Sequence, residues 1–248
     1  MTYKTLISGT AITLSLGFAA MPAMAQDASQ APTALAEWNY DEIYSNGWSA
    51  EEFMDEVDVT GADGAEIGDI ENVLIGEDGR ILSLIVEVGG FLDIGDSHIS
   101  VPWEEVTIAG EGDDITVPIN EDNMERYSLF GESGYFTMPE GMIAEQVNDD
   151  LLTGPRVWKA SELIGDYALL NDGDAAYGYV DDLIFDDQGM IMAVIVDPAV
   201  GTGRYAYPYY GYGYGFHPGY TFYMLPYAGD EVEIVTPFDE TQMESWDD

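Results

Sequence analysis

The side chains best suited to chemistry in this chain are two histidines, His98 and His217, set among 48 Asp and Glu residues. Histidine moves protons near neutral pH and ligates metals. These two fall in corresponding but separate loop regions, so they predict no His pair and no His-rich metal site. His98, entering a strand, reads as a structural residue rather than a catalytic base. His217 lies in an aromatic stretch and reads as solvent-facing. Neighbouring acids, Asp149-Asp150, Asp172-Gly173-Asp174, Asp181-Asp182 and Asp186-Asp187, offer oxygens of the kind Ca²⁺ takes. None fits the calcium-loop spacing, and acids this abundant become neighbours by chance. No sugar cleft is indicated for a glycosidase-type carboxylate pair. There is no G-x-S-x-G nucleophile turn, and no G-x-G-x-x-G stands between a strand and a helix. The absence of Cys excludes disulfides, thiolate catalysis, Cys-ligated zinc and a lipoprotein anchor. The expectation is a protein that is not an enzyme, with no cofactor and no assigned metal ligand.

Residues 204–223, RYAYPYYGYGYGFHPGYTFY, hold eight of the chain's 17 tyrosines. From Pro198 to Gly229 there is no Asp or Glu, although the chain carries a formal net charge of −42. Acid repulsion is locally absent, and Tyr joins apolar area to a polar tip. Tyr also dominates adaptable binding surfaces. Tyr205, Tyr207, Tyr209, Tyr210, Tyr212, Tyr214, Phe216 and Tyr220 are therefore the candidate partner-binding residues. The competing reading is a loop that folds back over its own domain. The charge argues against nucleic acid and against anionic membranes as partners, because both need a basic surface. Its plain reading is solubility and repulsion between copies; adaptation to salty surroundings is the alternative.

The elements that hold these residues come from an internal repeat. Residues 48–87 lie over 158–197 at a constant offset, with Trp48 on Trp158, Ala50 on Ala160, Gly68 on Gly178, Gly79 on Gly189, and Ile81, Ile85 and Val86 on Ile191, Ile195 and Val196. Downstream, Val101-Pro102-Trp103 resembles Leu225-Pro226-Tyr227, which makes the second copy longer and puts the tyrosines in an insert at 198–223. PINEDNMERY (118–127) resembles PFDETQMESW (237–246). The organisation expected is a leader at 26–47, a first domain at 48–128, a linker at 129–157 and a second domain at 158–248. In each copy two β-branched apolar runs flank a Gly turn, at 67–75 with 81–88 and at 177–185 with 190–196, which predicts a β-hairpin. Shorter strands are predicted near 98–102, 114–118, 220–225 and 231–235. Single helical turns are expected after Ser49 and at Ser161, and N-capped short helices after Asn120 and Asp239. Many short strands with Gly turns predict small barrels.

Residues 1–25 have the pattern of a secretory signal peptide, with Lys4, an apolar run at 6–20 and Ala23-Met24-Ala25 before a cleavage after Ala25. The apolar run is short of the roughly 20 residues a membrane span needs. The expected destination is the periplasm, or the medium outside.

Residues 89–106, GGFLDIGDSHISVPWEEV, resemble the PRC-barrel family, through Gly89, Gly90, Phe91, Leu92, Gly95, Asp96, Val101, Pro102 and Trp103. The preceding IGDIENVLIGEDGRILSLIVEV fits the same family's hairpin. The resemblance implies an all-β fold of two tandem small PRC-type β-barrels with short helical turns, joined by a linker. It also implies a docking or structural module rather than an active site. The function expected is a non-enzymatic periplasmic interaction or scaffold protein, its partner an unknown envelope protein. The alternative is a sensor that binds Ca²⁺ or a small ligand through clustered carboxylates, with a divalent cation as partner.

Overall fold

The two predicted hairpins form, and each becomes the centre of a sheet. In this computed structural model, residues 31–89, 97–108, 114–127, 129, 136–137, 152–153, 157–173, 175–211, 220–243 and 245–246 are described. Residues 1–30, Gly90 to Asp96 and most of the expected linker lie outside them. The first part of the chain runs α1 (Asp41–Asn46), β1 (Trp48–Ser49), α2 (Ala50–Glu56), β2 (Asp58–Thr60), β3 (Glu66–Gly76), β4 (Ile81–Val88), β5 (Ser97–Pro102), β6 (Thr107–Ile108) and β7 (Asp114–Thr116). A small pair, β8 (Phe136–Thr137) and β9 (Leu152–Thr153), follows. The second part runs β10 (Val157–Lys159), α3 (Ala160–Leu163), β11 (Tyr167–Leu170), β12 (Ala176–Phe185), β13 (Ile191–Pro198), β14 (Tyr205–Pro208), β15 (Phe222–Leu225) and α4 (Gly229–Val232). The fold is all-β with a few short helices. The first sheet has the order β5-β4-β3-β2-β7-β6 and the second β14-β13-β12-β11-β15.

The halves exchange their leading strands. β1 pairs not with its own hairpin but with β12, Trp48 opposite Phe185 and Ser49 opposite Ile184. β10 pairs with β3, Trp158 opposite Ile75 and Lys159 opposite Leu74. Every residue in one set is the repeat partner of a residue in the other, so the exchange is reciprocal. The hairpin turns meet between the halves. Arg80 bridges Met190. The Ile81 N–H donates to the Gly189 carbonyl (2.8 Å) and the Ile191 N–H to the Gly79 carbonyl (3.0 Å). Gly79 and Gly189 have φ of +78° and +72°, a region that favours glycine. An added Cβ would meet the Tyr209 ring at 2.9 Å and the Trp103 ring at 2.6 Å respectively. Each turn is thus capped by an aromatic ring from the opposite half.

One apolar core joins Phe53, Val59, Ile75 and Leu84 of the first half to Trp158, Phe185, Val194 and Tyr223 of the second. A unit of about 80 residues without crosslinks buries a marginal core, and the shared core answers that shortage. A second cluster holds the segment before the repeat in place: Tyr40 and Ile43 pack with Ile184, Ala193, Ile195, Ala206 and Phe238. The Trp38 Nε1–H donates to the Ala206 carbonyl (2.9 Å) and the Tyr40 hydroxyl to the Thr236 carbonyl (2.7 Å). The described part of the leader packs against the second sheet.

Three local expectations change. The stretch 231–235 is not a strand; it overlaps α4, whose Glu231 side chain accepts from the Ala228 N–H (2.8 Å). The turns at Met124–Tyr127 and Glu240–Gln242 are 3-10 rather than α-helical. The third change concerns the tyrosines. Leu84 pairs with Val101, and its repeat partner Val194 pairs with Tyr207. The counterpart of Val101-Pro102-Trp103 is therefore Tyr207-Pro208-Tyr209, not Leu225-Pro226-Tyr227. The tyrosine stretch begins as the strand β14 itself, and it replaces the first half's β5 rather than being inserted before it. β15 pairs in parallel with β11, as β7 does with β2. The extra length falls after β15, in the region of α4.

Candidate functional site

β14 turns Tyr205 and Tyr207 to the same side, toward the main core, and Tyr209 follows just past its end, which decides which of them a partner can reach. Tyr207 is fully buried, and its hydroxyl pairs with that of Tyr177 (2.8 Å). Tyr209 is buried with its ring stacked between Trp158 and Tyr223, each centroid 6.3 Å away. Tyr205 and Tyr210 are half-buried. The Tyr210 hydroxyl pairs with that of Tyr227 (2.9 Å) and accepts from the Thr33 N–H (2.7 Å). Burial pushes the phenols of Tyr207, Tyr209, Tyr223 and Tyr227 above their ordinary value, so they stay neutral. Tyr220 is exposed. Tyr212, Tyr214, Phe216 and His217 lie outside the described residues. A contact through Tyr207 or Tyr209 requires β14 to leave its sheet.

An aromatic surface forms beside this strand from residues the sequence reading passed over. Tyr179 on β12 stands opposite Tyr167 on β11, and Tyr167 opposite Phe222 on β15. The Tyr167 and Tyr179 rings lie 4.9 Å apart and are 46% and 48% exposed. Tyr220, 53% exposed, packs on Phe222 at 5.3 Å. Three aromatics on three strands, with Tyr220 just before β15, thus form an outward row. At the corresponding cross-strand positions of the first sheet stand Asp69, Asp58 and Asp114, all exposed. The available signal was strand phase: Tyr177 and Tyr179 alternate with Gly178 and the buried Val180 in a predicted strand.

The acid pairs singled out by sequence do not converge. Asp181 pairs with Arg204 Nε at 2.9 Å. The Asp186 carboxylate closes its hairpin turn by accepting from the N–H groups of Gln188 (2.9 Å) and Met190 (2.8 Å). Asp172 accepts from the Gly229 N–H. Asp182 is buried and accepts from the N–H groups of Glu51 (2.9 Å) and Leu183 (2.7 Å). Burial pushes its carboxyl up to about 7. Its repeat partner is neutral Asn72, which accepts from the Ser161 N–H and donates to the Ser161 hydroxyl (2.7 Å). Asp149, Asp150 and Asp174 lie outside the described residues.

A different trio does converge. Glu71, Glu87 and His98 each bring one ligand-type atom within 4.8 Å of the other two, and all three are half-buried. Glu87 stands directly opposite His98 across β4 and β5, and His98 Nε2 contacts Glu71. Glu71 is the extra residue of a β-bulge between Ile70 and Asn72. In the second sheet the same places hold Asp181, Asp197 and Arg204. Arg204 precedes Tyr205, which pairs with Val196, as His98 precedes Ile99, which pairs with Val86. Arg204 also pairs with Glu240.

Among the described residues, no helix is long and apolar enough to cross a membrane. No curated protein matches the chain. Residues 56–124, spanning β2 to β7, match the family model of the PRC-barrel domain, a module that is generally non-catalytic.

Proposed function

We propose that this chain is a non-enzymatic interaction or scaffold protein of the cell envelope. It is built from two PRC-type barrels that interlock through exchanged leading strands, and is delivered to the periplasm by a signal peptide cleaved after Ala25. The contact surface is the row Tyr179, Tyr167, Phe222 and Tyr220, where the tyrosine-rich segment ends. The observation that carries this reading is the contrast between the sheets: one transverse row is aromatic and exposed in the second and carboxylate in the first. Exposed aromatic rows of this kind mark interaction sites, since Tyr supplies large contact area at low entropic cost. The partner is an envelope protein with an apolar patch that tolerates an acidic rim.

Deleting 204–223 would remove β14 and part of the core, so it cannot separate contact from folding. The test replaces Tyr167 and Tyr179 by Asp, copying Asp58 and Asp69, and compares crosslinked partners pulled down from periplasm. Specific partners are expected to be lost while the circular dichroism stays native. Unchanged partners from a folded variant would sink the reading.

A further inference from the structure

We propose that Glu71, Glu87 and His98 bind one divalent transition-metal ion, zinc by the chemistry of the set. The site does not depend on the aromatic surface, which lies on the other sheet. Two carboxylates and one imidazole are a borderline donor set. Zn²⁺ takes such ligands in four-coordinate geometry at about 2.0–2.2 Å. Ca²⁺ asks for six to eight oxygens, and Mg²⁺ gives up its water reluctantly. Imidazole selects zinc and its neighbours over both. A mutual separation of up to 4.8 Å closes around a zinc ion with small side-chain rotations. Two of the ligands are direct cross-strand neighbours and the third is aimed by a bulge, so the sheet holds them in place before the ion arrives. The half-buried setting leaves the fourth position to solvent.

The second sheet supplies an independent observation. There the chain itself places a cation, Arg204, against the counterpart of Glu71, with Nε 2.9 Å from Asp181. The backbone therefore gathers carboxylates at this point in both halves, and one half neutralises them with a permanent charge. In the first half His98 is charged only when protonated, whereas a bound divalent ion supplies the positive charge permanently.

The competing explanation is a plain Glu71–His98 ion pair in a polyacid that attracts cations diffusely. Calorimetric titration of the mature chain with ZnCl₂ separates the two. It is run in about 0.15 M NaCl, where long-range attraction is screened, with millimolar Ca²⁺ to fill diffuse sites. One saturable Zn²⁺ site is expected. His98→Arg, which copies the second sheet's arrangement, and Glu71→Gln should each weaken it by at least about tenfold, as loss of a supporting group at a zinc site already does. Co²⁺ in place of Zn²⁺ should give visible absorption bands that His98→Arg abolishes. No saturable binding above Ca²⁺, or binding that both variants leave intact while remaining folded, overturns the assignment.

Discussion

The outward rows of the two sheets share a backbone and differ in chemistry. Crossing the first sheet from β5 to β7, the row reads His98, Glu87, Asp69, Asp58, Asp114; its counterpart reads Arg204, Asp197, Tyr179, Tyr167, Phe222. On the inward face the halves keep their types, with Leu84 matched by Val194, Val86 by Val196 and Ile75 by Phe185. Inward positions answer to the packing of one shared core, where a change of volume is felt at once. Outward positions alternate away from it and are free to diverge. Divergence therefore leaves one half with a row of carboxylates at these outward positions and the other with aromatic rings.

The largest expected effect tests the shared core. Trp158→Ala should destabilise the whole chain by about 3–5 kcal/mol in denaturant unfolding, as deleting a large buried ring does, with both sheets lost in one transition. Separate transitions for the two sheets would break the picture of a common core. Asp182→Asn comes next. The Asp182 carboxyl, raised to about 7 by burial, is protonated in the folded chain where the unfolded chain is already ionised. Its contribution is complete below the ordinary carboxylate range and declines as pH rises from about 4 to about 7. The Asn variant, copying Asn72, should remove that slope and stabilise the chain at pH 7 by up to about 4 kcal/mol. Asp166, raised to about 6 by burial, acts in the same window and should persist as a weaker slope in the variant.

The buried phenols sharpen the comparison at a smaller scale. Tyr207→Phe loses the hydrogen bond to Tyr177 and should cost about 1 kcal/mol. The Tyr209 hydroxyl is buried without a hydrogen-bond partner, and its counterpart is Trp103, so Tyr209→Phe should be neutral or stabilising by up to about 1 kcal/mol. The smallest effect is Arg204→Gln. Its ion pairs with Asp181 and Glu240 are partly exposed, so a loss of up to about 1 kcal/mol that fades with salt is expected. The whole chain, at −42, should melt higher as NaCl is added.

Both hairpins, their Gly turns and the short helix after Ser49 were legible, because each rests on local signals: alternation, positive φ and a side-chain cap. The Ser49 hydroxyl does accept the Glu52 N–H at 3.0 Å. The role of β14 was hidden because a run of Tyr and Gly resembles a loop by composition. Tyr207 takes the place of Val101 through strand pairing, which no neighbour in the chain reveals. The trio Glu71, Glu87 and His98 was hidden for the same reason, its members lying on three strands. The tyrosines chosen from sequence share a segment, whereas Tyr167 and Tyr179 share a face.

By itself the sequence determined the strand periods, the turns, the doubling of the pattern and the excess of negative charge, since these follow from residue type and near neighbours. Only the tertiary structure decided that the leading strands cross over, that Tyr207, Tyr209 and Tyr223 belong to the core, and which polar side chains meet. Those outcomes depend on which surfaces bury each other best once the chain has closed. That competition is settled by long-range packing and by pairing of buried backbone groups, not by the order of residues along any one strand.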